Sequence, residues 1–77
     1  MTAKEFDDRL LSLLRQRPFV PFEVELISGE RFTIDRPDAT ACGGGSGIFG
    51  EKDDGPIHLF DNLDTKTIHR PAETASA

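Results

Sequence analysis

Two prolines, Pro18 and Pro21, divide the chain into two stretches whose apolar residues follow different periods. Before Pro18, the apolar residues recur at the three- and four-residue steps of an amphipathic helix. They are Phe6, Leu10, Leu11, Leu13 and Leu14. From Phe22 onwards the period is two, which is typical of a half-buried strand. Because proline cannot continue a helix, the sequence predicts an N-terminal helix followed by β structure.

The helix carries its own start signal. Thr2 and Glu5 have the spacing of a capping box, in which each side chain accepts a hydrogen bond from the other residue's amide. Pro18 ends the helical pattern, so a helix is predicted over about 2–17 with its apolar stripe buried. Residues 18–22 alternate proline with phenylalanine and valine, and we expect a stiff, packed elbow there. A proline-rich docking peptide is the alternative.

A β-hairpin follows the elbow. Its inward positions are predicted to be Phe22, Val24, Leu26, Phe32 and Ile34, with the reversal at Ser28-Gly29-Glu30. Short strands are expected at 48–49, 57–60 and 66–69, and residues 39–42 are a further candidate strand. Turns are predicted at the flexible stretch Gly43–Gly47, at Lys52–Gly55 and at Asp61–Thr65.

Together these elements predict an α+β fold, in which the helix precedes a five-stranded, strongly bent antiparallel small barrel. A chain of 77 residues leaves no room for a second folding unit. We expect a single domain over 1–70, with the helix at about 2–17 and a β-meander at about 22–70. Residues 71–77 are expected to be a flexible tail, because small polar residues there can bury little.

The order of elements resembles that of the SH3-like and Sm-like small barrels. The Sm-like resemblance is carried by the spacing of Val24, Leu26, Gly29, Phe32 and Ile34. It implies cyclic oligomers that bind RNA near a central pore. The chain departs from the Sm-like pattern at its second segment, where Asp61-Asn62-Leu63-Asp64 stands in place of a basic-Gly or Lys-His pair.

The segment Pro18-Phe19-Val20-Pro21-Phe22, followed by the hairpin and the step Pro37-Asp38, also resembles a group of short uncharacterised bacterial proteins. This resemblance spans most of residues 10–70. It supports the fold and implies no activity.

Charge and cysteine content limit the classes of partner. Nine Lys and Arg against fourteen Asp and Glu give a net charge of -5, which disfavours nucleic acid and anionic membranes without excluding a local basic patch. No apolar run approaches the roughly 18 residues that span a bilayer, so no membrane partner is expected. The single Cys42 suits a reducing compartment, which makes the cytoplasm the expected location.

Three groups of residues have the chemistry of a site. Backbone amides of Gly43–Gly47 could surround a phosphate, but the Gly-Lys-Ser/Thr ending of a phosphate loop is missing, which favours a hairpin loop. Metal-ligand side chains occur without a recognised spacing, at His58, His69, Asp61 and Asp64. His58 is out of phase with Ile57 and Leu59, so it is expected to face solvent. Cys42 has no base beside it and is expected to be a structural cysteine.

The sequence therefore predicts no catalytic residue, no metal and no cofactor. The leading hypothesis is a small non-enzymatic module that self-associates, forming a homo-oligomer, or docks a protein partner through a sheet edge or the helix. The helix stripe with Phe19 and Phe22 offers enough apolar surface for part of it to be intersubunit. The alternative is an Sm-like RNA-binding protein whose basic residues converge, namely Arg9, Arg15, Arg17, Arg31, Arg36, Lys66 and Arg70. A second alternative is a small metal- or thiol-dependent enzyme.

Overall fold

The computed structural model describes residues 1–51 and 55–70, which form one helix and six strands. The helix is α1 (Ala3–Leu14), and a 3-10 turn covers Pro37–Ala39. The strands are β1 (Phe22–Leu26), β2 (Arg31–Ile34), β3 (Thr40–Gly43), β4 (Ser46–Gly50), β5 (Ile57–Asp61) and β6 (Thr65–His69). The predicted tail at 71–77 and most of the predicted turn after residue 51 lie outside the described residues.

The predicted capping box is confirmed at the start of α1. The Thr2 hydroxyl accepts from the Glu5 amide at 3.1 Å, and Glu5 Oε1 accepts from the Thr2 amide at 2.8 Å. The bond from the Thr2 amide, aided by the Thr2 side chain, lowers the pKa of Glu5. The helix ends at Leu14 rather than at 17, because a residue that precedes proline, here Arg17, is disfavoured in helical conformation.

The first sheet has the strand order β2-β1-β6 and contains the predicted hairpin. Phe22 pairs with Ile34 and Val24 pairs with Phe32, which confirms the predicted hairpin and places these inward residues side by side. On the other side of β1, Val24 pairs with Ile68 of the closing strand. These five side chains are buried, so this sheet contributes one wall of the core.

The second sheet has the strand order β3-β4-β5, and its ladders align residues in rows across the three strands. Thr40, Phe49 and His58 form one row, and Cys42, Gly47 and Phe60 form another. Between them lies a row of Ala41, Ile48 and Leu59. Because side chains alternate between the two faces of a sheet, the middle row faces away from the other two.

The prediction of a five-stranded barrel was wrong in two respects. Residues 39–42 do contribute a strand, which raises the number to six, and the strands form two separate sheets instead of a closed barrel. The chain passes from the first sheet to the second through the 3-10 turn at Pro37–Ala39, where proline has no amide to donate to a ladder. It returns through the turn at 62–64, so β5 and β6 belong to different sheets. The coarser α+β prediction is confirmed.

The core lies between the two sheets and α1. From the helix, Phe6 and Leu10 are fully buried and Leu13 is 3% exposed. Most of the helix stripe is therefore used inside this chain, while Leu14 and Phe19 are only partly buried. That part of this surface is intersubunit stays a prediction. Phe32 connects the two sheets, because its ring stacks on that of Phe49 in β4, with 6.2 Å between the ring centroids.

In the part of the chain that is described, no helix is long and apolar enough to cross a membrane.

Candidate interaction surface

The glycine-rich stretch is a tight turn held in place by the helix. Gly44 and Gly45 have φ of 61° and 85°, a left-handed conformation that favours glycine, and they connect the paired residues Gly43 and Ser46. The Gly45 amide donates to Asp7 Oδ1 at 3.0 Å. A phosphate would need this amide and would meet the Asp7 carboxylate instead. The predicted hairpin turn is therefore confirmed, and one of its amides is bonded to the helix.

Cys42 lies on the inward side of β3, packed against the core. Burial raises the pKa of its thiol, and the nearby Asp7 carboxylate raises it further, while Arg15 opposes both effects. A raised pKa leaves little thiolate near neutral pH, which is the opposite of what a nucleophilic cysteine requires. The environment of Cys42 agrees with a structural role.

His58 faces the core, not solvent, so the predicted phase of β5 was wrong. Its imidazole stacks on the Phe32 ring at 4.3 Å with an interplanar angle of 9°, and its Nε2 lies 3.2 Å from Glu51 Oε2. Ile57 and Leu59, the neighbours on either side, are 67% and 75% exposed. Phe60 accounts for the inversion, because it packs against the core and places His58 on the same face.

His69 lies on the outer face of the first sheet, away from His58. Its Nε2 is 3.4 Å from Glu23 Oε1, and its Nδ1 is 3.0 Å from the Thr67 hydroxyl. The structure does not bring the two histidines together with Asp61 and Asp64. Within residues 1–51 and 55–70, no group of three or more His, Cys, Asp or Glu side chains could hold a metal ion.

The basic residues fall into separate places. Arg9 Nε donates to the Ile68 carbonyl at 2.9 Å, and Arg17 and Arg70 both donate to oxygens of Gln16. Arg9 lies within α1, whereas Arg17 and Arg70 meet at Gln16, just after its end. Lys66 lies 3.9 Å from Glu25 on the first sheet, and Arg36 Nη1 lies 3.5 Å from the Glu51 carbonyl. The convergence of the seven basic residues stays a prediction.

The outer faces of the two sheets differ sharply in polarity. The first sheet presents two polar rows, Thr33-Glu23-His69 and Arg31-Glu25-Thr67. The second sheet presents Ala41, Ile48, Ile57 and Leu59, which we call the apolar face. Ile48 is 41% exposed, and Ile57 and Leu59 are exposed by two thirds or more. Of the outward residues in β3, β4 and β5, only Asp61 carries a charge, and it stands at the end of its strand.

Three connected depressions cross the apolar face and form a shallow groove. The first extends from Asp38 to Ile57 and shares Ala41 and Ile48 with the second. The second shares Leu59 with the third, which ends at Asp61 and Asp64. The groove therefore has an apolar middle and carboxylates at its ends.

Sequence reasoning missed this face because it assigned Ile57 and Leu59 to the core. The available signal was the run Ile57-His58-Leu59-Phe60. Either alternating pair, Ile57 with Leu59 or His58 with Phe60, is apolar enough to be buried. Comparisons with family models, curated proteins and solved structures found no match to this chain.

Proposed function

We propose that this chain is a non-catalytic docking module that binds a protein partner through the apolar face of its second sheet. The observation that carries the proposal is the aligned row Ala41, Ile48 and Leu59, which is continued by Ile57 and lies open to solvent. Single exposed apolar side chains are ordinary, but a contiguous set on one sheet face is typical of interaction sites.

Burial of these side chains supplies enough free energy for a weak, specific complex. Full burial of an Ile or Leu side chain contributes about 1.5–3 kcal/mol. Three adjacent strands cover only about 10 Å by 15 Å, so the face suits a short segment of a partner better than a large obligate interface.

The sheet face is a better docking surface than the helix. The apolar stripe of α1 is already buried, as Phe6 and Leu10 are fully covered by the core. The outer face of the first sheet is occupied by paired polar side chains such as His69 with Glu23 and Lys66 with Glu25. Among residues 1–51 and 55–70, the apolar face has no such internal partner.

A peptide-display selection against the wild-type chain tests the proposal. Peptides that bind should lose about tenfold in affinity to Ile57→Ser or Leu59→Ser, because each change removes an apolar side chain from the interface. Ile27→Ser is the matched control, since Ile27 is 68% exposed and Ile57 is 67% exposed, but Ile27 lies in the β1–β2 turn. Failure to select peptides, or equal losses with Ile27→Ser, would contradict the proposal.

A further inference from the structure

The groove has a negatively charged end. Asp61 and Asp64 line its last depression together with Leu59 and Ser46. Both acids are held in position by the turn between β5 and β6, because Asp61 Oδ1 accepts from the amides of Leu63 and Asp64 at 3.0 and 2.8 Å. The Asp64 carbonyl also accepts from the Ile27 amide at 2.8 Å. The Asp61 carboxylate and the backbone of Asp64 are therefore fixed beside the apolar face.

No basic side chain among the described residues lines this end of the groove. Lys66 is close in sequence, yet it extends toward Glu25, 3.9 Å away on the first sheet. The opposite end of the groove is lined by a single carboxylate of the described residues, that of Asp38. The groove thus has two carboxylates at this end and one at the other.

We propose that the partner is a polypeptide segment that places a Lys or Arg against Asp61 and Asp64 and lays apolar side chains along Ile48 and Leu59. This inference rests on the proposed docking function and names the chemistry of its partner. Opposite charge at one end of an apolar strip sets the direction in which a segment lies and excludes acidic competitors. An anionic membrane would be repelled by the same carboxylates and by the net charge of -5.

A second copy of the chain is a poorer occupant than a basic segment. It would bring another net charge of -5 and its own pair of acids into the contact. The small area of the face adds to this difficulty, because stable dimers bury about 800 Å² on each subunit. Charge complementarity therefore favours a foreign, basic segment.

The test compares Asp64→Asn with Glu30→Gln, using the selected peptides as probes. Each variant removes one exposed acid, but Glu30 lies in the β1–β2 turn, and the Asp64 side chain makes no contact that the turn needs. At about 20 mM salt, we expect Asp64→Asn to weaken binding three- to fivefold and Glu30→Gln to leave it unchanged. Asp64→Asn should have no further effect on a peptide whose basic residue is replaced by Gln.

The outcomes separate this inference from the docking function. If binding depends on Leu59 but responds equally to Asp64→Asn and Glu30→Gln, the basic partner is excluded and the docking function stands. If no peptide depends on Leu59, both proposals fail. If light scattering shows a dimer that Ile57→Ser dissociates and Ile27→Ser does not, the occupant is a second copy, and the inference is overturned. Unchanged urea denaturation of Asp64→Asn confirms that the fold is intact.

Discussion

Gly47 lies directly opposite Phe60 in the β4–β5 ladder and leaves no space for a side chain of its own. A Cβ placed on Gly47 would lie 2.7 Å from Phe60 Cζ. The Phe60 ring has little freedom to withdraw, because it packs against Phe6 at 5.6 Å and against Phe32 at 5.1 Å. The contact joins the helix and both sheets at one point.

We therefore expect Gly47→Ala to lower the free energy of unfolding by about 1–3 kcal/mol, as overpacking in a core does. Urea denaturation followed by circular dichroism measures the change. Gly50→Ala is the control on the same strand, since a Cβ there would meet nothing within 4 Å. Equal stability of the two variants would show that Phe60 does leave space for a side chain at position 47.

The phase of β5 is tested by two neighbouring substitutions. His58→Ser removes the ring that stacks on Phe32 and the contact with Glu51, and should cost about 1–2 kcal/mol of stability. Leu59→Ser should cost less than about 0.5 kcal/mol, because Leu59 is 75% exposed. Thermal unfolding of both variants measures the difference. A larger loss with Leu59→Ser would indicate that the leucine, and not the histidine, faces the core.

Two substitutions in the glycine turn distinguish the stability cost of backbone strain from that of steric overlap. Gly44→Ala places a side chain at φ 61° with nothing within 4 Å, and should cost about 1–2 kcal/mol. Gly45→Ala adds contacts of 2.7 Å with Asn62 Oδ1 and 2.9 Å with Ala3 Cβ. We expect it to cost at least about 1 kcal/mol more, measured by urea denaturation. Equal costs would mean that the helix does not confine the turn.

The raised pKa of Cys42 predicts slow alkylation. The rate with iodoacetamide should still be rising with pH where an ordinary cysteine has reached its plateau, because less thiolate is present at each pH. Asp7→Asn keeps an oxygen to accept from Gly45 but removes the negative charge, so it should lower the pKa and speed the reaction. Arg15→Gln should have the opposite effect. A faster reaction in Arg15→Gln would contradict the assigned causes.

The elements that the sequence predicted correctly depend on neighbours along the chain. The capping box joins Thr2 to Glu5, three residues away, and the first hairpin closes within thirteen residues from Phe22 to Ile34. Their periods and turn residues are sufficient to define them. The closing strand was also predicted, since Thr67 and Ile68 give it β-branched character.

The errors arose where distant residues decide the outcome. The run from Ile57 to Phe60 is apolar in both phases, and its orientation is set by Phe32 and Gly47, which lie on other strands. The barrel prediction failed because the 3-10 turn at Pro37–Ala39 determines whether β2 and β3 pair in one sheet. The spacing of apolar residues along the sequence does not show in which direction the chain turns there. The apolar face was missed for a related reason, since apolar residues were assigned inward by default.

The helix is attached to the rest of the chain by hydrogen bonds to residues that are far away in sequence. Asp7 bonds to Gly45, 38 residues later, and the Met1 carbonyl accepts from the Asn62 side chain, 61 residues later. α1 thus depends for its docking on turns that are synthesised after it. During synthesis, the apolar stripe of α1 stays uncovered until these turns have emerged, and that interval is when a chaperone would have access to it.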